Sequence, residues 1–223
     1  MIVGFIGSGN MAAAMARGWQ QADRGPSEML FTDSGSGRAH ALAEEVGGRA
    51  VESNRELVER SDFVVLAVKP AGLEQVAREL PAPRAVLSLL GATPLEKLAA
   101  QFPDSAVIRL MPNLGVEVRR GVICAAYPEG LDPGIAAEAR GLLEGISTVF
   151  ELPDDRMDVA TAVMGCSPAY FAVAAQALAA EGVAGGLEPE VVGQMVAESL
   201  AGTAGLLAHR SPFEIQVAVA SPG

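Results

Sequence analysis

Along the N-terminal two thirds of the chain, apolar positions fall into short unbroken runs instead of alternating with polar ones. Residues 2–6, 29–32, 62–68, 85–89 and 106–110 are such runs, and helical patterns separate them at 10–22, 38–46, 54–60 and 94–100. A strand that is apolar on both faces needs cover on both faces. The pattern therefore predicts an α/β fold, a mainly parallel sheet with helices on either side. Two further strands, at 121–126 and 147–150, flank a helix at 133–143. After Pro153 the strand signal stops, and 154–163, 168–184, 189–208 and 212–219 all read as helix. Pro168, Pro189 and Pro212 sit at or near first turns, where the missing N–H is tolerated. The change of pattern predicts two domains, an α/β domain over 1–152 and a small all-helical domain over 153–223.

Half of the 223 residues are hydrophobic and 19% are charged, which suits a globular chain able to bury a core. Ala and Gly are abundant and aromatics make up only 4%, so helices are expected to pack closely. A net charge of −11 argues against nucleic acid or an anionic membrane as a partner. It also leaves any anionic ligand to local devices such as helix N-termini. Cys124 and Cys166 form no disulfide framework, which points to a reducing cytoplasm. The apolar start is broken by Gly7-Ser8-Gly9-Asn10 and has no basic flank, unlike a signal peptide. Residues 159–180 carry no charge and are long enough for a bilayer, yet Gly165, Ser167, Pro168, Gln176 and many alanines favour a buried interface helix. Such a helix needs a cover, so a homodimer or larger homo-oligomer is expected.

The segment Gly7-Ser8-Gly9-Asn10-Met11-Ala12 directly follows the first strand and opens a helix. This is the G-x-G-x-x-A form of the dinucleotide fingerprint of a Rossmann domain. Gly7 permits the tight turn, Gly9 lets a pyrophosphate approach the backbone, and Ala12 allows close helix–strand packing. The helix N-terminus then offers free N–H groups to the phosphates. Asp33 ends the second strand, where an acid can hold the ribose hydroxyls of NAD. Ser34, Ser36 and Arg38 follow at once and suit the 2′-phosphate of NADP, so both cofactors stay open. Ala67-Val68-Lys69-Pro70 and Arg109-Leu110-Met111-Pro112-Asn113 close two further strands, at the ends where open α/β sheets bind ligands. His40 and His209 are the only histidines. With no nucleophile–base pair and no metal cluster in view, no side chain receives a catalytic role and no metal is expected. That is compatible with hydride transfer, in which the cofactor supplies the reactivity.

These segments resemble the pyrroline-5-carboxylate reductase family nearly end to end. Gly4 to Ala12 looks like the family's opening, residues 54–62 like its Asn-containing helix, and Ala67-Val68-Lys69-Pro70 like its signature after the following strand. Arg109 to Asn113 is similar to its R-x-M-P-N segment. Residues 161–170 take the place of its T-x-x-S-G-S-G-P-A-Y, with Gly165, Pro168, Ala169 and Tyr170 kept, and Ser221-Pro222-Gly223 resembles the start of its S-P-G-G-T. There are departures. Met164, Cys166 and Ser167 replace two serines and a glycine of the substrate turn. Ser88-Leu89-Leu90-Gly91 stands for an S-x-A-A-G loop, and Gln216-Val217 for a charged pair. The helical domain also reads as shortened at its C-terminal end.

The resemblance implies a helical domain that interlocks with a second copy. It implies hydride transfer from NAD(P)H to C5 of 1-pyrroline-5-carboxylate, a small cyclic imine carboxylate, in proline biosynthesis. Gly7, Ser8, Gly9, Asn10, Met11, Asn54, Ala67, Val68, Lys69, Pro70 and Asn113 would contact the cofactor, alongside Asp33 and Ser34 from the reading of the second strand. Gly165, Cys166 and Ser167, at a helix N-terminus, would receive the substrate carboxylate. The altered turn also admits a related imine or ketone reductase with another substrate, or a non-catalytic NAD(P)-binding regulator.

Overall fold

Successive side chains of the apolar runs enter different cores. In the computed structural model, which describes residues 1–220, Val3, Phe5, Phe63, Val65, Ala85, Leu87, Ile108 and Leu110 join one buried cluster. Ile6, Val64, Leu66, Val86 and Val107 join another. Alternation with apolar side chains in both phases is what burial on two faces requires. The strands are β1 (Ile2–Ile6), β2 (Glu28–Thr32), β3 (Arg49–Ala50), β4 (Phe63–Leu66), β5 (Ala85–Ser88), β6 (Ala106–Pro112), β7 (Gly121–Ala126) and β8 (Ser147–Glu151). They form one eight-stranded sheet in the order β3-β2-β1-β4-β5-β6-β7-β8. Among the described residues only the β6–β7 pairing is antiparallel.

The helices connecting them are α1 (Asn10–Gln20), α2 (Arg38–Val46), α3 (Asn54–Arg60), α4 (Leu73–Glu79), α5 (Leu95–Gln101) and α6 (Pro133–Glu144). Residues of α1, α2 and α6 join the first core and those of α3, α4 and α5 the second. The first core holds a small aromatic cluster. Phe5 stacks on Phe31 at 5.1 Å between ring centroids, Trp19 lies 5.7 Å from Phe5, and the buried Trp19 Nε1–H donates to the Leu142 carbonyl at 2.9 Å.

Several boundaries differ from the sequence expectation. The run at 62–68 is strand only over Phe63–Leu66, and Ala67–Pro70 leaves the sheet. β6 continues two residues past 110 to Pro112, because it pairs with β7 up to Pro112–Ile123. The helix expected at 154–163 is a composite: a 3-10 turn at Asp154–Arg156, α7 (Met157–Ala160) and a π-helical turn at Thr161–Gly165. The Thr161 hydroxyl bonds back to the Met157 carbonyl at 2.7 Å, and the Cys166 N–H reaches the Thr161 carbonyl at 3.2 Å. Met157 and Met164 are buried against Cys124 and Ala126, so this composite covers part of β7. By contacts the chain divides into a unit Met1–Pro168 and a second unit from Ala169 onward.

The later helices are α8 (Ser167–Ala184), α9 (Pro189–Leu207) and α10 (Pro212–Val219). In the single chain α8 buries no residue, and Tyr170, Phe171, Val173 and Leu178 are exposed. Val192 of α9 packs where a side chain at Gly182 would stand, 2.9 Å from its methyl groups. Ser211 and Glu214 cap α10 reciprocally. By length and composition alone the run Asp154–Ala184 could cross a bilayer, but Thr161–Gly165 is π-helical and Pro168 follows. The expected Ser221-Pro222-Gly223 signature lies outside the described residues.

Small residues set the closest approaches. A Cβ added at Gly18 of α1 would collide with the Val116 carbonyl oxygen and lie 3.0 Å from an Ile146 methyl. Gly18→Ala is expected to destabilise the protein by about 1–3 kcal/mol, because overpacking exceeds the gain in helix propensity. Urea denaturation measures it, and an unchanged midpoint would contradict the packing described.

Candidate functional site

The carboxyl ends of β1, β2, β4, β5 and β6 share one edge of the sheet, and the connectivity reverses between β1 and β4. A crevice at that switch point is where an open α/β sheet binds a ligand. The glycine-rich bend lies there. Gly7 adopts φ +98, and a Cβ on it would stand 2.6 Å from the Ala67 carbonyl oxygen, so the turn needs glycine twice over. Its N–H and the Ser8 hydroxyl both donate to the Thr32 carbonyl at 3.1 Å. The bend is thereby fastened to the end of β2.

Gly9 is different. No atom lies within 4 Å of the position its Cβ would take. It is the N-cap of α1, with no side-chain cap and no acid in the first turn. The first-turn amides of α1 thus lack an intramolecular side-chain acceptor, and the space in front of them is open. Such an arrangement fits a diphosphate. The adjoining cleft has a volume of about 680 Å³, within the range of cofactor sites. It brings together Gly7, Ser8, Gly9, Asp33, Ser34, Asn54, Ala67, Val68 and Lys69, with Ser36 and Arg38. Asn10 opens α1 beside it, Met11 packs partly against the first core, and Pro70 begins a 3-10 turn at its rim.

Thr32, Gly72, Gln75, Val76 and Glu79 also line the cleft and were not singled out from sequence. Thr32 is the hub of one wall, because its hydroxyl bonds the Asn54 Oδ1 at 2.6 Å while its carbonyl holds the bend. That orients the Asn54 side chain and leaves its Nδ2 as a donor. α4 had a weak signal in Leu73, Val76, Ala77 and Leu80, at helical spacing but with no capping side chain before it.

Asp33 organises its own loop. One carboxylate oxygen accepts from the Gly35 and Ser36 amides at 2.7 and 3.1 Å, and the other from the Ser36 hydroxyl and Ala39 amide at 2.8 and 2.9 Å. Burial pushes this carboxyl up, but the donors from Ala39, Ser36 and Gly35 outweigh it and hold the group at about 2, below the ordinary 3.8. Both oxygens are therefore committed, while Ser34, Ser36 and Arg38 remain exposed on the same loop.

The other expected residues lie apart from this cleft. Asn113 is buried at the end of β6. Its Nδ2 donates to the Met164 carbonyl at 3.1 Å and its Oδ1 accepts from the Val122 N–H at 3.0 Å. Gly165, Cys166 and Ser167 form the junction between the π-helical turn and α8, where the Cys166 N–H is bonded to the Thr161 carbonyl. Among the described residues no group of His, Cys, Asp and Glu is arranged to hold a metal.

Comparison with known proteins covers both parts of the chain. Residues 2–90 match the family described as NADP oxidoreductase coenzyme F420-dependent, and residues 154–223 match pyrroline-5-carboxylate reductase dimerisation. The pyrroline-5-carboxylate reductase of Synechocystis is 32% identical, over 99% of this chain and 85% of the relative. That of Thermus thermophilus is 31% identical, over 100% and 86%. A crystal structure of 1-pyrroline-5-carboxylate reductase from Streptococcus pyogenes superposes with a TM-score of 0.88 at 27% identity, covering 100% of this chain and 86% of that one. With relatives this similar along nearly its whole length, the chain belongs to the pyrroline-5-carboxylate reductase family.

Proposed function

We propose that this chain reduces 1-pyrroline-5-carboxylate to proline with NAD(P)H. The observation that carries the reading is the open, uncapped N-terminus of α1 at Gly9, facing the cleft at the β1–β4 switch point in a chain similar throughout to these reductases. The cofactor supplies a hydride to C5 of the imine, and the ring nitrogen takes up a proton. The protein's part is to bind and orient. The amides from Gly9 into the first turn of α1 hold the diphosphate, with Gly7, Ser8, Asn10 and Met11 shaping that bend. Asn54 and Ala67–Pro70 flank the remainder of the nucleotide. The Gly165–Ser167 turn receives the substrate carboxylate, which suits a strongly acidic protein because main-chain dipoles attract an anion locally. The functional boundary falls at 152/153, with the cofactor domain before it and the helical domain after. The unpaired Cys124 and Cys166 support a reducing cytoplasmic setting.

The Asp33 loop favours NADP. An acid with both oxygens already bonded is a poor acceptor for ribose hydroxyls, whereas Ser34 and Arg38 offer a donor and a cation for a 2′-phosphate. The exposed apolar face of α8, with Tyr170, Phe171 and Val173, is covered by a second copy, in keeping with the dimerisation family matched at 154–223.

Purified protein is expected to oxidise NADPH when given pyrroline-5-carboxylate, and Gly9→Val to lose nucleotide binding while melting near the wild-type temperature. Failure of folded wild type to turn over, with either cofactor, overturns the reductase reading; normal binding by Gly9→Val removes its cofactor half. Arg38→Ala is expected to weaken NADPH binding about 10-fold or more, the worth of a charge-assisted contact, with little change for NADH. An equal loss for both nucleotides, by fluorescence titration, would argue against a phosphate contact. Light scattering is expected to give at least a dimer, and a stable monomer would leave the α8 face unexplained.

A further inference from the structure

Two buried polar side chains, Arg109 within β6 and Asn113 just past its end, lie outside the cofactor cleft. Both reach instead to the segment that leads into the Gly165–Ser167 turn. Arg109, 3% exposed, sends Nη1 to Asp154 Oδ1 at 2.9 Å and Nη2 to Asp158 Oδ1 at 3.1 Å. Asp154 in turn accepts from the Leu95 N–H at 3.0 Å through its other oxygen. Asn113 sends Nδ2 to the Met164 carbonyl, which also accepts from the Ser167 hydroxyl at 3.1 Å. The start and the end of the composite at 154–165 are thus each tied to one strand, four residues apart on β6 and its edge. Between the ties, Met157 and Met164 are buried under Cys124 and Ala126.

This geometry has a chemical consequence at the turn. A peptide unit is planar and trans, so fixing the direction of the Met164 carbonyl also fixes that of the Gly165 N–H. The π-helical register delivers the Cys166 N–H to the Thr161 carbonyl and so sets the next peptide. β6 runs parallel to β5, and its end lies on the same sheet edge as the cofactor cleft. A hydride acceptor has to be held across that edge.

We propose that Asn113 and Arg109 are positioning residues for the substrate turn, with Asn113 clamping the Met164 carbonyl and Arg109 anchoring Asp154 and Asp158, so that the turn leading into α8 is held in one geometry for the substrate. The role rests on the substrate reading given above for this turn. It assigns Asn113 to the substrate side of the reaction instead of to the nucleotide.

Asn113→Asp keeps an acceptor for Val122 but sets an oxygen against the Met164 carbonyl. Arg109→Lys keeps the charge and loses the two-pronged contact. In both variants KM for pyrroline-5-carboxylate is expected to rise about 10- to 100-fold, with Kd for NADPH within about twofold of wild type. Hydrogen exchange is expected to quicken in the peptide spanning 161–167 and not in α1. Asn113→Ser, which can bond neither partner at the same reach, should behave like Asn113→Asp if that variant folds poorly. Unchanged exchange and KM in folded variants would overturn the proposal, as would a loss of NADPH affinity as large as the rise in KM. A wild-type protein without turnover would sink the reductase reading alone, because the exchange comparison still decides whether these residues hold the turn.

Discussion

The Thr32 carbonyl is the acceptor on which the cofactor side of the molecule depends. It takes the Gly7 N–H and the Ser8 hydroxyl together, at the point where the chain leaves β1 to enter α1. The bend passes so near Ala67 that no side chain fits at Gly7. With β2 holding it from one side and the start of the post-β4 segment from the other, the bend cannot collapse onto the N-terminus of α1. The main-chain donors there stay unspent. The proposed diphosphate site follows from an unfilled space that the surrounding backbone keeps open.

The same economy extends to charge. A protein with a net charge of −11 gains nothing from long-range attraction of an anionic cofactor or substrate. The sites proposed for the diphosphate and the substrate carboxylate therefore lie at helix starts, α1 in one case and α8 in the other. Asp33 shows the cost of placing an acid beside such a site. Four donors from its own loop neutralise its reach, and the loop gains a fixed shape on which Ser34, Ser36 and Arg38 are displayed.

How far the sequence could be read depended on the range of each interaction. The strands and the glycine bend are legible because burial on two faces and G-x-G spacing are local properties, as Phe63–Leu66 and Gly7–Ala12 illustrate. β3 escapes because two residues carry no pattern, and α4, no shorter than α3 or α5, because it starts behind Pro70-Ala71-Gly72 with no capping side chain to announce it. Asn113 is conspicuous in sequence, after Pro112 at a strand end, yet its partners are not: Met164 lies 51 residues on, and Asp154 lies 45 beyond Arg109. No periodicity announces such pairings. The broken helix at 154–165 is hidden for the same reason, since its π turn comes from how Thr161, Met157 and Met164 settle against β7.

The two margins of the sheet also bear on how copies of the chain can meet. β3 offers only two residues, one of them Arg49, and β8 ends at Glu151, which pairs with Arg140. A foreign strand approaching either margin meets a stub on one side and fixed charge on the other. Growth of the sheet by strand addition is discouraged at both limits.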